Sequence, residues 1–395
     1  MKIAIIPSAD LSYNSGSIIY AKNLLRYLHA RGHEAYLLGS KMPDDLPVEL
    51  RSYIRIAPEL LEHPIIDDRE VATLEYGKSL NAITDYLLQL HQESELDVIH
   101  AHYASFNSYA AYVVNGLTRV PYVISSFGRD MNLGYMKDKR IAWLIEQSLP
   151  QAGKIIVTDP SLGAKIAKAA GTRSVEDKLI EIPMPFDDSV LKEDARLPRE
   201  VSGASSYICT VNSCFSQEKD IDTILRSFVR VKKFFPGKLV IAGQDDHPSG
   251  IHETRLRRLT EDLGLSEDVI FTGYLKRGEV GMLLKHSEAL VDARLEGNFS
   301  SVLLEAMYTG TPVVASRNAA SLKIIEDGIN GHLFEPGDSN TLESKIELAL
   351  SEPEQKRLRV QMNAWLEIGG KRYREENCFA STLSVLEEVG MKVHD

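Results

Sequence analysis

Residues 296–316 read EGNFSSVLLEAMYTGTPVVAS. The polar opening Glu296-Gly297-Asn298 is a turn, and Ser301 to Tyr308 reads as a short helix. Gly310-Thr311-Pro312 ends that helix, and Pro312 to Ala315 is a strand. The apolar run Ala289-Leu290-Val291 ahead of the turn is another strand. This order of strand, turn, helix and strand is the repeating unit of a doubly wound parallel sheet. In such a unit the helix start lies beyond the strand ends, where unpaired amides and the helix dipole favour an anion. A diphosphate fits there, at Ser300 and Ser301, and Glu305 lies one turn on, where it can accept hydrogen bonds from ribose hydroxyls. A plainer reading makes Ser300 a helix cap and Glu305 a solvated surface carboxylate.

The same alternation runs outward in both directions. Strands read at Tyr207 to Val211, Lys238 to Ala242, Val269 to Phe271 and Gly331 to Phe334, with helices at Asp222 to Phe235 and His252 to Leu263. An earlier series starts with the strand Ile3 to Ile6, a polar turn Ser12 to Ser17, and a helix whose apolar face is Ile18, Ala21, Leu24, Leu25 and Leu28. It continues through strands at His33 to Leu38, Asp97 to His100, Pro121 to Ser125, Lys154 to Thr158 and Lys178 to Ile182. Helices between them read at Ser105 to Asn115, Lys137 to Leu149 and Ser161 to Ala170, and Trp143 to Leu149 is expected in the core. Lys41 to Asp68 reads as loop with short elements. Pro183-Met184-Pro185 breaks the pattern, because two prolines so close bar regular helix or a central strand, and the linker runs on to Ser205. The expected architecture is α/β: two Rossmann-like doubly wound domains, 1–185 and 186–371, facing a cleft. A C-terminal helix, about 372–390, is expected to pack back on the first.

The 395 residues suit two or three domains, and 44% hydrophobic with 26% charged residues is ordinary for a globular chain. A formal net charge of -11 argues against nucleic acid as the partner and disfavours a strongly anionic membrane as the main surface. Cys209, Cys214 and Cys378 have no zinc-like spacing and read as free thiols of a reducing compartment. The start MKIAIIPSAD lacks the long apolar core of a secretory signal, and no stretch of about 20 apolar residues occurs. The expectation is a cytoplasmic protein. Lys137, Lys139 and Arg140 form a solvated helix start, too thin a basic signal to claim peripheral membrane contact.

Several segments in order resemble one family: DVIHAH (Asp97 to His102), IAG (Ile241 to Gly243), FTGYL (Phe271 to Leu275), EGNFSSVLLEAM followed by GTPVVAS, and EDGINGHLFEPGD (Glu326 to Asp338). The chain resembles the retaining glycosyltransferases of the GT-B fold, in the large family four that is also described as glycosyl transferases group 1. The resemblance implies that a nucleoside diphosphate sugar, most commonly a UDP-sugar, binds the C-terminal domain. The acceptor, a glycan, lipid carrier or small metabolite, binds the N-terminal one, and no metal or other cofactor is needed. By position it implies that Gly16 allows close approach of the diphosphate, that Lys219 binds phosphate and that Glu305 holds the ribose. Gly243, Tyr274, Phe299, Ser300, Ser301 and Val302 fall on the donor side, with the turn Gly273-Tyr274-Leu275 presenting backbone groups to the base. His102 and Asp130 fall on the acceptor side. Lys219, Glu296 and His102 are the expected catalytic set.

The chain also departs from the family pattern. The paired glutamates of the family are separated by seven residues, whereas eight lie between Glu296 and Glu305, so an ungapped match puts Gly297 in the first position. Either a one-residue bulge lets Glu296 serve or that carboxylate is missing. The family's phosphate-binding arginine falls on Asn212-Ser213, leaving Lys219, with Arg294 a substitute from the next loop. In Ser126-Phe127-Gly128-Arg129-Asp130 the family's histidine is absent or shifted. Strand alternation is read as turning one of His100 and His102 inward, the alternative being a packed core histidine. Asp245-Asp246-His247 reads as a polar loop rather than a metal site. The departures keep open a rival reading, a protein that binds nucleotide sugars without transferring them. A dinucleotide-dependent oxidoreductase is disfavoured, because no G-x-G-x-x-G follows the first strand.

Overall fold

The computed structural model describes residues 1–7, 11, 16–43, 46–60, 73–171, 173–186, 195–212, 214–245, 250–296 and 299–391. The chain divides into two compact units, Met1–Pro185 with Glu376–Asp395, and Phe186–Glu375.

The first unit runs β1 (Lys2–Ile6), α1 (Gly16–His29), β2 (Glu34–Gly39), β3 (Ile54–Ile56), α2 (Thr73–Ser94), β4 (Val98–His102), α3 (Phe106–Thr118), β5 (Tyr122–Ser126), α4 (Lys139–Ser148), β6 (Lys154–Val157), α5 (Pro160–Ala170) and β7 (Leu179–Glu181). Its strands form one parallel sheet in the order β3-β2-β1-β4-β5-β6-β7. Both faces are covered, which is why the strands read as unbroken apolar runs. Ala4 and Ile6 enter one core with Ile99, Ile124 and Val114, and Ile3 and Ile5 enter the other with Leu24, Leu25 and Val98.

The second unit runs β8 (Tyr207–Val211), α6 (Ile221–Val231), β9 (Lys238–Ala242), α7 (Ile251–Asp262), β10 (Val269–Gly273), α8 (Arg277–Lys285), β11 (Leu290–Asp292), α9 (Ser301–Thr309), β12 (Val313–Ser316), β13 (His332–Phe334), α10 (Ser339–Leu350) and α11 (Glu352–Ile368). Its parallel sheet has the order β10-β9-β8-β11-β12-β13. The last helix, α12 (Glu375–Met391), puts Cys378, Phe379, Leu386 and Val389 into the core of the first unit beside Ile3 and Ile5. The second unit ends beyond residue 371 because Tyr373 is buried in its core, stacked between Trp365 and Phe299, and accepts the amide of Phe186.

Lys41 to Asp68, read as loop with short elements, includes the short edge strand β3, which pairs with β2. Other features differ from the sequence reading. The long helix α2 is not foreshadowed by that reading; its buried Ile83, Leu87 and Leu90 keep helical spacing. Trp143, expected in the core, is 52% exposed, because α4 turns Ile141, Leu144 and Ile145 inward instead.

In each sheet the strand order reverses once, between β1 and β4 and between β8 and β11. Ligands of open parallel sheets bind beyond the carboxyl ends of the strands at such a reversal.

Candidate active site

At the reversal of the second sheet, the carboxyl end of β11 delivers Asp292, Ala293 and Arg294, and the segment after β8 leads into a tight turn, Gln217–Lys219. Asp220 follows in a left-handed conformation (φ 46°, ψ 43°) and starts α6. The two loops are tied together by a backbone bond, in which Leu295 N donates to Glu218 O at 3.0 Å. The tie makes Lys219 and Arg294 neighbours. Their side chains are only 12% and 15% exposed. Burial, and then the Arg294 guanidinium, push the Lys219 ammonium below its usual range, while Glu218 opposes them. Lys219 Nζ is 2.9 Å from Glu218 Oε1, but that carboxylate is half exposed and screened by water.

The main chain of Arg294 is fixed by side chains of the neighbouring strand end. Its carbonyl accepts from Ser316 Oγ and from Asn318 Nδ2 at 3.2 Å. Its Nε lies 3.4 Å from Asp292 Oδ1 without making a hydrogen bond. The other oxygen of Asp292 accepts from Ser300 Oγ at 2.9 Å. Ser300 is buried at the N-cap of α9, yet its hydroxyl makes no cap bond to the helix. Ser300 thus holds the N-cap position of the plainer reading, but its hydroxyl goes to Asp292, which joins Arg294 to the start of α9. Asn212, where the family pattern has a small residue ahead of its arginine, is buried and donates to Thr210 Oγ1 at 3.2 Å. Ser213 lies outside the described residues.

Along α9, Val302, Leu303, Leu304, Ala306 and Met307 fill the core, and Gly310 ends the helix in the left-handed conformation (φ 75°). Glu305 is not a surface carboxylate, for its residue is only 7% exposed. Burial raises its carboxyl above the usual range, opposed by Arg277 and by the Ser301 hydroxyl. Arg277, the first residue of α8, places a terminal nitrogen 3.5 Å from Glu305 Oε1. Phe299 packs on Tyr373, with ring centroids 5.5 Å apart. Glu296 is exposed and has no hydrogen-bond or ion-pair partner among the described residues; Gly297 and Asn298, on which the bulge depends, lie outside them.

Two further residues expected on the donor side sit at neighbouring strand ends. Gly243 (φ 142°) follows β9, and a Cβ there would lie 2.4 Å from the Asn212 carbonyl oxygen, so close packing alone demands glycine. Tyr274 is exposed after β10, next to Gly273 in the left-handed conformation (φ 70°). In the first unit, Gly16 opens α1, and a Cβ added there would meet no described atom within 4 Å.

At the reversal of the first sheet, β4 ends in His100 and His102. Residues two apart on a strand share a face, so the expectation that only one turns inward is corrected. Both rings lie on the side of α1 and α12, with centroids 4.5 Å apart. His102 packs on Tyr20 and Phe127 at 5.3 and 5.4 Å, and His100 accepts from or donates to Ser125 Oγ at 2.8 Å through Nε2. Burial lowers His100 to about 3 and lowers His102 well below the usual imidazole range. Both are neutral at physiological pH. Asp130 is fully buried and accepts from the amides of Ala104 at 2.8 Å and Gly128 at 3.0 Å, which pins the turns after β4 and β5. Burial raises its carboxyl and these bonds oppose the rise.

Asp245 accepts the amide of Glu253 at 2.8 Å, whereas Asp246 and His247 lie outside the described residues. Among the described residues no group of three His, Cys, Asp or Glu side chains is placed to hold a metal ion, and no helix is long and apolar enough to cross a membrane. Sequence reasoning missed Arg277 and Asp292. Arg277 carries no signal in its own segment, whereas Asp292, at a strand end two residues before Arg294, was open to reading as its partner.

Comparison with known proteins bears on the family and the fold. The family described as Glycosyl transferases group 1 matches residues 199–365, and Glycosyltransferase Family 4 matches residues 15–189. The chain is 24% identical over 331 residues to N-acetyl-alpha-D-glucosaminyl L-malate synthase of Bacillus anthracis, covering 82% of this chain and 81% of that protein. It is 22% identical over 355 residues to alpha-monoglucosyldiacylglycerol synthase of Streptococcus pneumoniae, covering 85% and 75%. Sucrose-phosphate synthase from Thermosynechococcus elongatus superposes with a TM-score of 0.80 at 18% identity, covering 98% of both chains. Anabaena HepE in complex with UDP-glucose does so with a TM-score of 0.74 at 17% identity, covering 97% of this chain and 99% of that one.

Proposed function

The chain belongs to the GT-B glycosyltransferases of family four and group 1, and on that premise we propose that it moves a hexosyl unit from a nucleoside diphosphate sugar to an acceptor hydroxyl with retention of configuration. One observation carries this reading: two neighbouring, mostly buried cations, Lys219 and Arg294, stand at the strand reversal of the second unit beside the start of α9. Like charges held together out of water repel, and a bound diphosphate relieves that repulsion. Arg294 then supplies the cation that the Asn212-Ser213 segment lacks.

In the reaction, the bond from the anomeric carbon to the phosphate oxygen breaks while the acceptor oxygen bonds that carbon on the same face. The acceptor proton passes to the leaving phosphate. Negative charge grows on the diphosphate, and Lys219 and Arg294 oppose it there. The buried Glu305 accepts the ribose hydroxyls, and the exposed Glu296 is a carboxylate available to the sugar. This reading assigns no metal, because the two side-chain cations take that part. It assigns His102 no proton transfer, since a neutral ring enclosed by Tyr20 and Phe127 is a packing residue, and Asp130 holds the turns of the acceptor side.

A UDP-sugar is the favoured donor, supported by the likeness to HepE, which is solved with UDP-glucose. A small metabolite or a lipid-linked acceptor is supported by relatives named for malate and diacylglycerol products. The free thiols Cys209, Cys214 and Cys378 support a cytoplasmic setting, where nucleotide sugars are available. The test is incubation with UDP- and GDP-sugars and an acceptor panel, following nucleotide release and product configuration. Sugar transfer with retention is expected. Tight nucleotide binding with no turnover on any acceptor would instead support the binding-only reading.

A further inference from the structure

A buried carboxylate loses its charge unless a cation or several donors hold it. Glu305 lies in α9 among Leu303, Leu304, Ala306 and Met307, and its helix offers only the Ser301 hydroxyl. The compensating charge comes from another helix. Arg277 opens α8, whose start is fixed by the Glu279 carboxylate accepting the Lys276 amide at 2.8 Å, and it brings a guanidinium nitrogen 3.5 Å from Glu305 Oε1.

The remaining charges on packed elements point elsewhere. Arg359 of α11 donates to Gly310 O at 3.1 Å, at the far end of α9. Asp292 of β11 is bonded to Ser300. The strand β12 carries only Val313, Val314, Ala315 and Ser316. On α8, Glu279 is occupied at its own helix start and Lys285 is exposed at the opposite end.

We propose that Arg277 is a positioning residue for donor recognition: it keeps the Glu305 carboxylate ionised and oriented to accept the ribose hydroxyls. The inference rests on the ribose-binding reading of Glu305. At 3.5 Å the ion pair is longer than a hydrogen bond, so the carboxylate keeps lone pairs for a ligand. A protonated Glu305 would lose the charge-assisted acceptor on which those bonds depend. Burial already raises this carboxyl, and Arg277 is the larger of the two groups that oppose the rise. Removing the guanidinium therefore raises its titration further.

The experiment measures UDP and GDP binding by calorimetry between pH 6 and 9, for wild type, Arg277→Gln, Arg277→Lys, Glu305→Gln and the Arg277→Gln/Glu305→Gln pair, after each is shown to melt cooperatively. Arg277→Gln is expected to weaken the preferred nucleotide about tenfold at pH 7, relative to wild type at the same pH. The gap should shrink steadily as pH rises from 6 to 9, because a raised carboxyl regains its charge at higher pH. Arg277→Lys restores most of the loss, and in the Glu305→Gln background Arg277→Gln adds nothing. An Arg277→Gln profile parallel to wild type, or additive losses in the pair, overturns the inference while a weakened Glu305→Gln leaves the ribose reading intact. Wild-type binding by Glu305→Gln itself overturns both.

Discussion

The strand reversals of the two units hold their polar residues in opposite states. In the first, His100 and His102 are neutral rings packed among Tyr20, Phe127 and each other, and Asp130 spends its oxygens on backbone amides. In the second, Lys219 and Arg294 stand side by side with partial compensation, and Glu305 is buried with one ion pair. A polar group that its own fold satisfies stabilises that fold, whereas charge left under-compensated at a strand end is poised for a charged ligand. By that measure the proposed donor site belongs to the second unit, while the polar residues of the first stabilise its own fold.

The contrast can be broken by substitution. Lys219→Ala carries the largest expected effect, a loss of about a hundredfold in kcat, as for other groups that oppose charge on a leaving oxygen. Steady-state rates with the preferred donor check this, and a wild-type rate in a folded variant removes Lys219 from the site. Glu305→Ala should lower turnover at least tenfold, or about 1.4 kcal/mol, read at donor concentrations near KM. Ser300→Ala sharpens the account of Asp292. It leaves a buried carboxylate oxygen without its donor, at a cost of about 1–3 kcal/mol in stability, visible as a lower urea midpoint. His102→Phe, which keeps a ring between Tyr20 and Phe127, should leave kcat within about threefold.

The first unit also makes a pH prediction. The folded state holds His100 near 3 against an ordinary 6.5. Between those values the unfolded chain binds a proton that the folded chain refuses, so stability falls as pH drops from about 6.5 toward 3. Melting temperatures at pH 7, 5 and 4 should show a shallower acid decline in His100→Asn than in wild type. An equal decline would place the acid sensitivity in another group.

Much of this was legible in the sequence. Strands buried on both faces read as apolar runs, and segments such as Lys238 to Ala242 match β9 to the residue because nothing competes with that signal. The long α2 escaped because Gly77 and a polar surface dilute its periodicity, whereas β3 falls in the stretch read as loop with short elements. At the site, Lys219, Ser300 and Glu305 were readable from local motif and position. Arg277 was not, since its partnership with Glu305 spans two helices and is decided by how α8 packs on α9. The burial of Glu305 was hidden for the same reason. The face shared by His100 and His102 needed only the two-residue period of a strand, which was present and misapplied.

The most direct test of the central claim compares UDP with uridine binding in wild type and in the Lys219→Ala/Arg294→Gln variant by titration calorimetry, with GDP and guanosine run in parallel. The account predicts that diphosphate affinity falls at least a hundredfold, about 2.7 kcal/mol, while nucleoside affinity changes little. Undiminished diphosphate binding in the folded double variant would contradict it, because the phosphates would then be held elsewhere.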